Sequence, residues 1–107
     1  MAAAVAQHDL ALTAQQRTQL QLLSELELAT RALESSQAQA DTEMSRAKLL
    51  GQRAQLLRKS FDAGETALPE LLRAVAAAAQ AYAAATRQTT ALALAQARVH
   101  QAQGILP

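Results

Sequence analysis

Phe61-Asp62-Ala63-Gly64-Glu65-Thr66-Ala67-Leu68-Pro69-Glu70-Leu71-Leu72 is the stretch of this chain that forces the backbone to turn. Gly64 is the residue type that ends a helix in the left-handed conformation, and Arg58 and Lys59 before it put cations where the helix dipole is negative. Thr66 offers a side-chain cap to the next helix. Pro69 falls within the first turn of that helix, where its missing N–H costs nothing, and Glu70 complements the positive end there. The stretch predicts a tip turn over about residues 62–67 between two helices that return antiparallel.

Upstream of the turn, from about Ala4 to Phe61, the chain has no proline and one glycine, Gly51, so nothing demands a helix stop. Leu26, Leu33, Ala40, Ala47, Ala54 and Phe61 recur every seven residues. Leu22, Ala29, Ser36, Glu43, Leu50 and Leu57 form the companion series, and together the two make a coiled-coil seam. Ser36, Gln37 and Glu43 interrupt it, and the alanines in its middle let a neighbouring backbone come close. Charged residues such as Glu27, Arg31, Glu34, Asp41 and Lys48 read as a solvated stripe on the opposite face.

Downstream, a second helix is expected from Leu68 to about Gln103, ended by Gly104, with Pro107 beyond it. Its expected seam is broad: Leu68, Leu71, Leu72, Val75, Ala78, Ala79, Tyr82, Ala85, Thr86, Thr89, Leu92, Ala93, Val99 and Ala102. Only Glu70, Arg73, Arg87 and Arg98 carry charge on this segment. A surface helix of a two-helix hairpin normally shows a wider charged face, so this one is expected to pack on more than one side. Two helices alone bury little surface, which also points to an oligomer or to a larger chain.

Composition agrees with helices and excludes other classes. Ala, Leu and Gln supply 28, 18 and 14 of the 107 residues, which is helix-forming material and not that of a β-sandwich or a doubly wound sheet. One Phe, one Tyr and no Trp leave little bulk for a thick core. The 10 basic and 9 acidic residues, read as well mixed, give no footprint for nucleic acid. No secretory leader and no apolar run of about 18 residues is present in the sequence given, so the chain reads as soluble, without a membrane-spanning segment. With no cysteine, disulfides and thiolate metal sites are out. The fold class expected is all-α, a single region over residues 1–107 forming a long antiparallel two-helix coiled-coil hairpin, about 4–61 and 68–103, that is oligomeric.

The residues that carry chemistry are few. His8 and His100 lie near the two ends, which a hairpin brings toward one region, but neither has the accompanying ligands a metal site needs. Asp62, Glu65 and Glu70 gather at the turn. They read as solvation and dipole complements at helix ends, or, with several copies around an axis, as an acidic ring at a pore mouth. Tyr82 reads as core, and Arg73 and Arg87 as pairing across an interface. No nucleophile triad, phosphate loop or carboxylate pair can be assembled, so no catalytic, cofactor-binding or metal-binding residue is assigned and the chain is not expected to be an enzyme.

The segment Leu57-Arg58-Lys59-Ser60-Phe61-Asp62-Ala63-Gly64-Glu65-Thr66-Ala67-Leu68-Pro69-Glu70-Leu71-Leu72-Arg73-Ala74 resembles the repeat motif of TolC-type outer-membrane efflux proteins. That motif is an aromatic, two residues, glycine, a short polar stretch, then an acidic residue and Leu-Leu opening a helix. It is most similar to the CzcC-like heavy-metal cation efflux branch, over roughly residues 20–107, one periplasmic hairpin. The resemblance implies that Phe61, Gly64, Glu65, Thr66, Leu68, Glu70, Leu71 and Leu72 form the periplasmic tip of a coiled-coil duct and contact a membrane-fusion adaptor. It implies self-association, a trimer in the intact family, and a periplasmic location as part of an outer-membrane protein. Phe61 lacks the tyrosine hydroxyl often found there, Thr66 replaces a basic residue of some members, and Pro69 is an addition.

Family members carry two hairpins and four transmembrane strands per protomer, and no alternating strand segments precede this hairpin. The chain is therefore expected to be an excised fragment or a truncated product that contributes to a passive duct for metal cations or drugs. The alternative is a helical-bundle scaffold or dimerisation module with no transport role, which heptads fit equally well. An amphipathic lipid-surface helix is a third and weaker reading, since the polar face lacks Lys/Arg enrichment and aromatic anchors.

Overall fold

The computed structural model describes residues 2–105 and shows two helices, α1 (Ala2–Asp62) and α2 (Leu68–Ile105), and no strand among those residues. They form an antiparallel hairpin 94 Å long and 18 × 13 Å across. The expected helix limits hold to within two residues, with one correction at each end. α1 begins at Ala2 and runs to Asp62, so the turn itself is residues 63–67. α2 does not stop at Gly104: it continues to Ile105, and Gly64 is the one glycine with positive φ. A glycine inside a helix ends it only where it adopts the left-handed conformation, and Gly104 does not. Pro107, expected beyond the helix end, lies outside the described residues.

The turn closes as a Schellman motif. Gly64 has φ 80°, its N–H donates to the Phe61 carbonyl at 2.9 Å, and the Glu65 N–H reaches back to the Ser60 carbonyl at 2.9 Å. These two bonds satisfy carbonyls that the end of α1 would otherwise leave free. The expected Thr66 cap is not made. Ala67 holds the capping position, its carbonyl accepting from the Glu70 and Leu71 N–H groups at 3.2 and 3.3 Å. The Thr66 hydroxyl pairs instead with the Ser60 hydroxyl, tying the turn to the end of α1.

Packing along α1 follows the heptad reading. Leu22, Leu26, Ala29, Leu33, Ser36, Ala40, Glu43, Ala47, Leu50, Ala54 and Leu57 are all half-buried or buried, at alternating steps of four and three, while Phe61 is exposed. The centre of the core is small: Ala47, Ala81 and Ala85, with Leu50 packed against them. Alanine at these layers lets the two backbones approach closely.

On α2 the observed seam is narrower than expected. Leu71, Ala74, Ala78, Ala81, Ala85, Gln88, Leu92, Ala95, Val99 and Ala102 face α1. Leu68, Leu72, Val75, Ala79, Tyr82, Thr86, Thr89 and Ala93 are exposed, so Tyr82 is not core and only Leu71 of the three tip leucines is buried. The eight exposed positions themselves step by four and three. They form a second heptad stripe one residue round the helix from the first, and α1 has one flank with which to meet the two.

Candidate functional site

The candidate site has two parts, the tip and the uncharged flank of α2 that rises from it. At the tip, the Schellman bonds fix the backbone of residues 60–65 and Leu71 anchors the start of α2 at 8% exposure. Around that anchor Phe61, Leu68 and Leu72 are exposed at 36%, 48% and 57%. Gly64, Glu65 and Glu70 are exposed and Thr66 is half-buried. These residues lie together at the turn, and Leu68 and Leu72 face outward instead of packing the start of the return helix. Their outward direction follows from register. Leu71 occupies the seam, so positions 68 and 72 fall on the adjoining stripe.

The two flanks of the hairpin differ in chemistry. On one, Arg53 shares a hollow with Glu70 and Arg73, and nearer the open end Glu25 shares one with Arg98. Arg73 also donates from Nε to the Pro69 carbonyl of its own helix at 3.3 Å. On the other flank Tyr82 lies over Gly51, and the eight-residue stripe from Leu68 to Ala93 carries no charge. Its polar atoms are largely spent within the helix: the Thr86 and Thr89 hydroxyls each donate to a carbonyl four residues back, those of Tyr82 and Ala85, both at 3.0 Å. What the stripe of α2 presents on this flank is methyl, isopropyl and phenol surface. Among the described residues no helix is long and apolar enough to cross a membrane.

The charges are not well mixed in space. Between Glu25 and Glu43, α1 carries five acids and one arginine; between Arg46 and Lys59 it carries five bases and no acid. With α2 and the turn included, and counting from Glu25 onward, the tip half holds six bases against three acids and the open half five acids against three bases. Composition alone hides this sorting, because the two halves nearly cancel.

The histidines do not meet. Glu43 lies across from Gln88, so in the antiparallel register His100 lies beside α1 near residue 31. His8 sits about 23 residues further along, about 35 Å at the helical rise. Among the described residues no group of three or more His, Asp or Glu side chains is placed to hold a metal ion.

No protein family, curated protein or solved structure matches this chain.

Outside these two parts, Glu43, read in the sequence as an interruption of the seam, sits within it: its Oε2 is buried without a hydrogen-bond partner, across the seam from Gln88. The signal was visible as an acid at a heptad core position, where burial of a charged oxygen costs unless it is paired.

Proposed function

We propose that this chain is a structural hairpin that works by packing side by side with other helical hairpins, and that its specific role is a wall element in the periplasmic duct of a TolC-type efflux factor. The observation that carries the packing role is the uncharged stripe of α2, a second heptad seam that the hairpin's own α1 leaves open. A lone hairpin has no use for it, whereas a wall of hairpins buries one such stripe per unit. The efflux role adds the tip: an exposed aromatic and two exposed leucines around a fixed glycine turn, the surface an adaptor hairpin would meet. Transport through such a wall is passive, with no chemistry asked of these side chains.

The test places a photoreactive residue at Glu65 or at Glu70 in cells that make the chain, and looks for a crosslink to a periplasmic adaptor protein. Charge reversal at the neighbouring carboxylate, Glu70→Lys or Glu65→Lys, should weaken that crosslink. Absence of any adaptor crosslink, or indifference to reversal, removes the efflux role and leaves the packing role standing.

A second reading, a bundle scaffold with no transport role, is favoured by the sorting of charge along the rod. A duct sets all tips at one end and therefore aligns basic halves with basic halves. Two hairpins in opposite directions align basic with acidic.

A further inference from the structure

We propose that two copies of this chain pair antiparallel through the uncharged stripe of α2, about a two-fold axis that passes close to Tyr82. The inference rests on the packing role and takes the bundle direction for this stripe, not the direction of a duct. It commits the open stripe to one occupant, a second copy, and to one direction.

Three observations lead there. The stripe runs from Leu68 to Ala93 with the same four-and-three spacing as the seam that already joins α1 to α2, so a helix of this same kind fits it. Tyr82, half exposed and the bulkiest side chain on the flank, stands within two residues of its midpoint. That level is Gly51 on α1; along the rim of α1, Glu27, Glu34, Asp41 and Lys48 lie toward the open end and Arg58 toward the tip. A two-fold axis at this level sets Arg58 of each copy within about one helical turn of Asp41 of the other, two exposed pairs, and leaves Lys48 near its own counterpart. A parallel pair sets each rim beside its own sign, which is unfavourable at every step. The hairpin also has reason to associate, because its largest buried residues are Leu71 and Val99 and the rest of its core is alanine.

The direction can be read with a short bismaleimide crosslinker, since the chain has no cysteine of its own. Leu72 and Ala93 are exposed and stand ten and eleven residues either side of Tyr82, which lies by the axis, so Leu72→Cys, Ala93→Cys and Tyr82→Cys leave the α1–α2 seam intact. The full chain should have the light-scattering mass of two copies. Leu72→Cys mixed with Ala93→Cys should crosslink about tenfold faster than either alone, the ratio expected of two exposed ion pairs acting together. Tyr82→Cys should crosslink to itself. In about 1 M salt, where the Debye length is about 3 Å, the tenfold preference should shrink.

A single-copy mass at all concentrations overturns both this pairing and the packing role. An assembly in which Leu72→Cys crosslinks to itself and not to Ala93→Cys overturns the antiparallel direction alone and restores the parallel order of a duct. Equal yields from all combinations overturn a defined interface.

Discussion

The phenol of Tyr82 lies across the bare backbone of Gly51: a methyl group built on that glycine comes within 3.0 Å of the Tyr82 hydroxyl oxygen and 3.3 Å of its Cε2. The pair explains two features at once. Gly51 sits inside a 61-residue helix where glycine is about 1 kcal/mol worse than alanine, and Tyr82 is held on the flank of α2 instead of in the seam. The contact is made by the far end of a side chain that is 49% exposed, so the ring can yield by a few tenths of an ångström. Gly51→Ala should therefore leave the hairpin equally stable or raise its stability by up to about 1 kcal/mol. The same substitution beside Tyr82→Ala should give the full gain. Thermal melts followed by circular dichroism measure both; a loss of more than about 1 kcal/mol in the single variant would show the ring pinned in place.

Gly64 is a different case, because no atom lies within 4 Å of where its Cβ would be, yet its φ is +80°. Only the backbone objects to a side chain there. Gly64→Ala should destabilise the hairpin by about 1 to 2 kcal/mol, and Gly64→Asn by less, since asparagine tolerates the left-handed conformation. Urea unfolding gives the ranking glycine, asparagine, alanine; an alanine variant as stable as the parent would mean that the Schellman closure is dispensable.

Much of this architecture is legible in the sequence, and what is not has a definite physical cause. The seam of α1 could be read residue by residue because polar and charged side chains separate its heptad positions from the rest. On α2 the same method merges two seams, since Leu68, Leu72, Val75 and Tyr82 are as apolar as Leu71, Ala78 and Ala85, and periodicity cannot say which of two adjoining stripes faces α1. Size is the cue that decides: the close-approach stripe is the alanine-rich one, and the bulky residues are left outside. The turn glycine was legible from φ preference alone, but the cap at Ala67 was not, because alanine carries no capping signal and Thr66 one residue earlier does.

That weak cap can be improved. Ala67 occupies the position where serine, aspartate or asparagine would accept a hydrogen bond from the first turn, and Glu70 already stands three residues on, the other half of a capping box. Ala67→Ser should stabilise α2 by about 1 kcal/mol, raising the thermal midpoint by about 4 to 8 °C for a chain of this size. Serine at 66 in place of Thr66 should give no comparable gain, since that hydroxyl is engaged with Ser60. Equal effects at 66 and 67 would put the start of α2 at a different residue.

Glu43 is the seam position where a hydrophobic substitution should help most. Its Oε2 is buried with no partner, and the layer is shared with Gln88, also polar and half-buried. A buried polar atom left unpaired costs about 1 to 3 kcal/mol, and the neighbouring layers at Ala40 and Ala47 show that the seam continues undisturbed on both sides. Glu43→Leu should therefore raise the urea midpoint, by about 1 kcal/mol or more in stability, with an unchanged slope. Glu43→Gln, which removes the charge but keeps a polar end, should recover only part of that. If the leucine variant is instead destabilised while the glutamine variant is neutral, the layer has no room for a branched side chain, and Glu43 and Gln88 are retained there for their slender shape.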